Sequence, residues 1–584
     1  MTDKIKDAKA QLFSIIEAAR KEVCGDVDLP QFNIEIPADT THGDFATNAA
    51  LCSAKAMKSN PRKLAEEFTA KIQNMKLWAD SFFDRFEIAG PGFINFFLGD
   101  KFYTQTVCEV IADGKDYGKS DFGQGESRVV EFVSANPTGP MHIGNARGGA
   151  LGDAIAELLN AAGYKASREF YVNDAGQQVV KFGTSLSKRY EQICSKKGQA
   201  LAVSFTNNYD FAQALYTDDK TFPMPDGLYL GADIIEHAKN YYDTHGDELM
   251  KLSEEADEER ANTLSAYALP LNIEKLKSDL KRYGIEYDRW FFESSLDTAV
   301  EDILAKLKTS GYTYEQDGAL FLKTAELGDE KDRVLVRANG VPTYVVPDIA
   351  YHYNKLVERG FAKAVNVFGA DHHGYIPRIK AAMKALGVDP DRIDVVIMQM
   401  VMLVRDGQAV KLSKRSGKAI TMETLLDEIP LDAARFLFNL REPNTHIELD
   451  LDLAVEQTSK NPVYYVEYAH ARICSILKNL SELGSLPAKP GEALTFTEPE
   501  EKLLIRTVAE LPETVISAAC DYNPSEITGY CIKLAGVFHK FYDRCRIKDE
   551  APEVIKSRLA LCLSVKIAIA NALLLLGIKA PDRM

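Results

Sequence analysis

No Cys-x-x-Cys pair occurs anywhere in these 584 residues, and the nine cysteines, at 24, 52, 108, 194, 474, 520, 531, 545 and 562, follow no regular spacing. That excludes a zinc-knuckle pattern and a disulfide framework, and it is the usage expected of a reducing compartment. Positive charge is in short supply: 69 Lys and Arg face 85 Asp and Glu, a formal net charge of −16. Such a balance excludes indiscriminate nucleic-acid binding, while a local basic face stays compatible with it. Long apolar runs are missing too. The longest, Leu559 to Ile578, is interrupted by Ser564, Lys566 and Asn571, whereas a bilayer helix needs about 20 apolar residues with few charges. It is expected to be a buried helix of a bundle. The charged start, Met1 to Asp7, lacks the apolar core of a signal peptide and leads into an amphipathic helix through Ile5, Ala8, Leu12, Ile15 and Ala19. Together these absences predict a cytoplasmic protein with no membrane association.

With 46 % hydrophobic and 26 % charged residues, the chain has the composition of ordinary globular domains, and its length calls for three or four of them. Residues 1 to about 110 form a first domain of mixed helix and strand. It closes on an aromatic, alternating segment, Phe86 to Leu98, broken by Gly90-Pro91-Gly92. After a glycine-rich connector (Gly114 to Gly125), Val129 to Val133 is a buried strand, Ala146 to Ala162 a helix and Ala166 to Val172 a second strand. This is a β-α-β unit, which implies a parallel sheet with ligands at the strands' carboxyl ends. Charged helical stretches over about 184–285, such as Leu249 to Arg260, are expected to be an insertion. The sheet resumes at Ala364 to Phe368 and again from Val395 to Val404, which turns at Asp406-Gly407. Beyond about 446 the pattern is helical. The expected fold is multidomain α/β. A Rossmann-type catalytic domain (126–390) and a connecting region (391–450) sit between an α+β N-terminal domain (1–110) and an all-α helical bundle (451–584).

Two segments carry the chemistry. In Ser134-Ala135-Asn136-Pro137-Thr138-Gly139-Pro140-Met141-His142-Ile143-Gly144-Asn145, the prolines stiffen a strand-to-helix turn. Gly139 and Gly144 let backbone approach a ligand. His142 falls where the helix begins, a place with unpaired N–H groups and a dipole that favours anions. Far along the chain, Lys411-Leu412-Ser413-Lys414-Arg415-Ser416-Gly417 is a loop with two lysines. Together, in this order, the two are expected to form the halves of one ATP site.

The first string resembles the His-Ile-Gly-His signature of the class I aminoacyl-tRNA synthetases, and the second resembles their Lys-Met-Ser-Lys-Ser signature. Tyr171 to Gly176, Gly369 to Tyr375 and Asn461 to Val466 narrow the likeness to the arginyl branch, over about 36–98, 127–183, 317–476 and 525–584. Two positions depart from the pattern: Asn145 stands where the second signature histidine is usual, and Leu412 replaces methionine.

The resemblance implies adenylation of a carboxylate by ATP, with negative charge gathering on phosphate oxygens that positioned donors stabilise. His142, Lys411 and Lys414 would be catalytic. Pro137, Gly139, Gly144, Asn145, Gly369 and Asp371 would bind ATP with them, Asp371 at the ribose. Mg²⁺ would arrive with ATP, and the adjacent His372 and His373 lack a third ligand at suitable spacing for a metal site. A guanidinium is planar, forked and always charged, so paired carboxylates select it. Glu293 and Asp348 resemble the family residues that do so, with Tyr344 beside them, although Asp348 could instead cap a helix starting at Ile349. Glu131, Ser134 and Asn136 resemble those holding the substrate's amino and carboxylate ends.

On the RNA side, Phe538 to Arg546 interleaves aromatic and basic residues, and from Val537 to Met584 nine Lys/Arg face five Asp/Glu. Phe538 and Phe541 are expected inside the bundle, with Tyr542, Arg544 and Arg546 on the surface. Asn95 and Phe96 or Phe97 would meet the tRNA elbow, as in the family's additional N-terminal domain. The expectation is a monomeric enzyme that forms arginyl-adenylate and transfers arginine to the 2′-hydroxyl of tRNA(Arg), with activation dependent on bound tRNA. Its rivals are a relative charging another amino acid or acceptor, and a non-catalytic RNA-binding paralogue.

Overall fold

Five segments rich in β-branched and aromatic residues lie side by side in one parallel sheet. In spatial order they are Ile393–Met398, Lys363–Gly369, Ser127–Glu131, Lys165–Val172 and Arg289–Phe292. The structure is a computed structural model describing residues 3–37, 39–251, 257–372, 374–410, 420–489 and 492–584. The chain enters the sheet in the middle, at Ser127–Glu131, builds outward in one direction and then returns to the other side. A reversal of this kind opens a crevice beyond the carboxyl ends of the two strands that flank it, here Ser127–Glu131 and Lys363–Gly369. Val129, Val130 and Val365 are fully buried, as strands of a parallel sheet covered on both faces must be.

Between the second and third strands lies the helical insertion. Helices Gly176–Cys194, Asn208–Thr217, Ala232–His245 and Asp257–Arg282 enclose their own core of Phe182, Leu186, Tyr190, Phe211 and Ile235. Between the third and fourth strands comes a small antiparallel sheet, Thr313–Gln316, Ala319–Leu322 and Arg333–Val336. Its segments are four residues each, too short to stand out by periodicity.

At the N-terminal end, four antiparallel strands pack with helices Lys4–Cys24, Ala49–Met57 and Pro61–Ile72. The aromatic segment is a hairpin, Phe83–Ala89 paired with Phe93–Leu98, turning at Gly90 and Gly92. The C-terminal end is a bundle of Pro462–Glu482, Pro499–Ala509, Leu511–Cys520, Ser525–Arg544 and Pro552–Leu575. Pro552–Leu575 is long and apolar enough to cross a membrane by composition, but it packs against Pro462–Glu482, Ser525–Arg544 and Asp100–Asp113.

Two expectations need correction. The strand expected from Val395 to Val404 is two strands, Ile393–Met398 in the main sheet and Val401–Arg405 in another. The chain breaks because Gln399 leaves both ladders: its carbonyl accepts from Arg147 Nη1 (2.5 Å) and its N–H donates to Pro443 O (3.0 Å). The region after 446 is not wholly helical either, since Ile447–Asp450 pairs in parallel with Val401–Arg405.

Helix Leu431–Phe438 holds the pieces together through Arg435, which is fully buried. Its guanidinium donates to Leu576 O (2.7 Å) and Tyr283 O (3.0 Å) and pairs with Asp153, which also takes Arg168 Nε at 2.7 Å. Leu576 ends the last helix of the bundle, Tyr283 ends the insertion, and Asp153 lies on the helix Ile143–Ala161. The chain makes no room for anything but glycine at 577, where a Cβ would collide with the same guanidinium.

Candidate active site

Directly after Glu131 the backbone enters the left-handed region, with φ of 66° at Val133 and 41° at Ser134. A β-branched residue there is strained and persists only where its surroundings impose it. Ser134 is fixed from two sides: its Oγ donates to Glu131 Oε1 (3.0 Å) and accepts from Tyr171 N–H (3.2 Å). Glu131 itself is only 4 % exposed, and its second oxygen accepts from Lys355 Nζ at 2.5 Å. Asn136 donates to Gln178 Oε1 (3.1 Å), which also accepts from Tyr229 OH (2.9 Å). The buried Pro137 offers its carbonyl to Asn272 Nδ2 (2.9 Å). Beyond it comes the half-buried Gly139.

Helix Ile143–Ala161 begins with His142 as its capping residue. The ring Nδ1 accepts from Gly144 N–H (3.0 Å), so the neutral imidazole carries its proton on Nε2. Gly144 must be glycine, because a Cβ would sit 2.9 Å from His142 Cε1. Asn145 Oδ1 accepts from His142 N–H (3.0 Å), completing a reciprocal capping box. This gives the departure at 145 a structural role. Asn145→Ala is expected to lower stability by about 1 kcal/mol, measured by urea unfolding of the catalytic region.

Lys411 and Lys414 lie outside the described residues, as does the whole of 411–419. Both flanks are placed. On one side Val401–Arg405 and Gln408–Ala409 form a hairpin turning at Asp406 (φ 50°) and Gly407 (φ 68°), and Val410 N–H returns to Leu403 O (2.8 Å). On the other side Thr421 bridges to His142, and Met422 N–H donates to Met141 O (2.9 Å). The segment that follows 411–419, at Thr421 and Met422, is therefore stitched to the first string.

Across the crevice, Gly369 ends the neighbouring strand, followed by Asp371, whose carboxylate is exposed. His372 Nε2 lies 3.7 Å from it, and His373 is outside the described residues. Elsewhere His470, Cys474 and Asp582 converge, but the His470 Nδ1–H is taken by Pro581 O (2.8 Å) and Lys566 Nζ stands 3.3 Å from Asp582. A cation is already there.

Acidic groups gather beside the crevice. Glu293 directly follows the strand Arg289–Phe292, and the Asn173 amide, oriented to satisfy both its ends, donates to Glu293 Oε2 at 3.2 Å. Helix Val345–Tyr353 is capped by Tyr344, which places Asp348 inside its first turn rather than at the cap. Burial, then the Glu293 and Glu131 carboxylates, push Asp348 up to about 8, against the opposing charges of Arg378 and Lys355. Burial also raises Glu293. Tyr344 is 68 % exposed and accepts from Arg378 Nη1 at 3.2 Å. The Tyr171 hydroxyl is buried beside Glu293 and, among the described residues, has no partner in full hydrogen-bond geometry. Glu131 is matched by Lys355, but Glu293 and Asp348 have no ion-pair partner among the described residues, and together they make a receptor for a cation. Tyr171, Gln178, Lys355 and Arg378 were not singled out from sequence; Tyr171 sits in a quoted string, and the others carry no local signal.

The same chain matches three family models end to end. They are the arginyl tRNA synthetase N terminal domain (4–98), the class I (R) tRNA synthetase catalytic domain (106–476) and the DALR anticodon binding domain (466–584). It is 46 % identical to an arginine–tRNA ligase of Caldanaerobacter subterraneus, covering all of both chains. The chain belongs to the arginyl-tRNA synthetase family. A second arginine–tRNA ligase, of Acetivibrio thermocellus, is 44 % identical over the full length of both chains. In fold it follows Thermus thermophilus arginyl-tRNA synthetase (TM-score 0.70, 20 % identity, 99 % of this chain and 100 % of that one).

The residues that the arginyl-tRNA synthetase likeness marked for RNA fall in mixed settings. Asn95 is 5 % exposed, in a strand paired on both edges, where it stands opposite Ala46 and Glu87. Of the two residues expected at the tRNA elbow, Phe97 is the more accessible. Phe96 is fully buried, while Phe97 is half-buried with the Arg85 guanidinium 3.5 Å from its ring centroid. Phe97 and Arg85 line a cleft of about 470 Å³ with Pro499 and Lys502 of the C-terminal region. In the bundle, Phe538 and Phe541 are buried and Arg544 is exposed. Tyr542 carries Arg472 at 4.1 Å from its centroid, and Arg546 pairs with Asp549 (3.0 Å). Tyr464, Tyr468 and His539 extend this patch by stacking.

Proposed function

We propose that the chain activates arginine with Mg²⁺-bound ATP and transfers it to tRNA(Arg), acting as a cytoplasmic monomer. The observation that supports this reading is that the chain just beyond the second signature string pairs with the start of the helix that follows the first. Thr421 is paired to His142, and Asp348 lies within electrostatic reach of Glu293 and of Glu131, at the end of the strand that leads into the first string.

ATP lies with its phosphates at the start of helix Ile143–Ala161, where the helix dipole and the His142 imidazole meet negative charge. Gly139, Gly144 and Gly369 leave room for the nucleotide, Asp371 accepts from ribose hydroxyls, and Lys411 and Lys414 close on the leaving pyrophosphate. Glu293 and Asp348 grip the guanidinium with Tyr344 over it, while Ser134 and Asn136 orient the carboxylate for attack on the α-phosphate. Glu131, with both oxygens engaged by protein groups, acts through Ser134. Phe97 and the Tyr542, Arg544 and Arg546 surface receive the tRNA, by stacking and phosphate pairing.

ATP–pyrophosphate exchange with each amino acid, with and without tRNA(Arg), tests this. Exchange is expected with arginine alone among them, and only when tRNA is present. Exchange driven by leucine or cysteine instead would refute the substrate, and none under any condition would leave a binding module.

A further inference from the structure

The two ends of the proposed arginine pocket are joined from beneath by an unbroken chain of side chains. His352 donates from Nδ1 to the Asp348 carbonyl (2.9 Å). Burial, and then the Lys355 charge, bring His352 down to about 3, so its ring is neutral, and Nε2 accepts from Asn366 Nδ2 (3.3 Å). Asn366 Oδ1 accepts from Lys355 Nζ (3.0 Å), which also donates to Glu131 Oε2 (2.5 Å). Glu131 Oε1 then accepts from Ser134 Oγ (3.0 Å), at the strained turn. The chain thus runs from the helix that carries Asp348 to the residue placed at the substrate's carboxylate.

Lys355 is its node. It lies in a π-helical turn, Asn354–Glu358, that continues helix Val345–Tyr353. A turn of this kind shifts which residues face inward and is frequent at functional sites. Lys355 and Asn366 are fully buried, and the ammonium also lies 4.0 Å from the Tyr351 ring centroid. A buried ion pair adds little net stability over apolar packing, whereas breaking one side of it is costly. The nearby Glu169 is already engaged by Tyr351 OH and by Arg359, so the pairing of Lys355 with Glu131 is a specific one.

We infer that Lys355 is a positioning residue that sets the span between the guanidinium-binding helix and the turn holding the substrate's carboxylate, so the pocket selects arginine by length as well as by charge. This rests on the arginine-activating reading above. Lys355 itself stays out of the pocket: it acts through Glu131 on Ser134 at one end, and through Asn366 and His352 on the Asp348 backbone at the other. A substrate one methylene longer than arginine would put its carboxylate off the turn while its guanidinium was gripped.

The test is tRNA-supported exchange with arginine and with homoarginine, on Lys355→Met, Glu131→Gln and the double variant, beside thermal melts. Lys355→Met is expected to raise the KM for arginine about 30-fold with the KM for ATP within about threefold. It should also lower the arginine-over-homoarginine ratio of kcat/KM about tenfold. The double variant should be no worse than the worse single, because both cut one link. An unchanged ratio, equal rises in both KM values, or losses that multiply in the double variant would each overturn the inference. Should Lys355→Met show no cooperative melt, the isosteric Glu131→Gln carries the test, with the same fall in ratio expected and an unchanged ratio decisive against it. Wild-type protein inactive with arginine rejects the activity reading; active wild type with unmoved variants rejects only the role of Lys355.

Discussion

Asp348→Asn raises the KM for arginine about a hundredfold or more and leaves the KM for ATP within about threefold, as measured by tRNA-supported exchange. The substitution keeps the shape and removes the charge that a buried guanidinium needs. Glu293 remains, so binding weakens without vanishing. The wild-type enzyme should also show a pH signature. Because burial and the neighbouring carboxylates push Asp348 up to about 8, arginine must displace a proton at lower pH. KM for arginine therefore falls as pH rises from 6.5 toward that value and then levels, and in Asp348→Asn this slope is lost. A flat wild-type profile, or a KM for ATP that rises in step with that for arginine, would show that Asp348 does not meet the guanidinium.

Arg435→Met should have the largest effect on stability. It strips the donor from Leu576 O and Tyr283 O and leaves Asp153 with Arg168 alone. Removing one partner of a buried charged network costs about 3–5 kcal/mol, read as a shift of the first denaturant transition. Gly577→Ala should shift the same transition in the same direction, by pushing on the guanidinium from the other side. Unchanged midpoints in both would mean that these contacts do not hold the regions together.

Much of the site was legible because it rests on short-range rules. A proline- and glycine-rich turn between an apolar strand and a helix can be read locally, and His142 is where those rules put it. What the sequence could not show was set by long-range contacts. The break at Gln399 depends on Arg147 and Pro443, far away in the chain. Asn95 looks like any strand asparagine, and its burial emerges only in the folded domain. Lys355 reads as one more helical lysine, since nothing local announces a π turn or a glutamate brought to it from residue 131. Asn145 could be seen as a departure from the family pattern, yet only the backbone geometry reveals that it closes a capping box.

The Arg435 hub also bears on how this molecule can be taken apart. A recombinant fragment ending near residue 450, ahead of the bundle, would bring the Arg435 guanidinium to a surface stripped of its Leu576 acceptor, and the excised bundle would expose the apolar flank of its final helix. Split or truncated versions should accordingly be insoluble unless co-expressed.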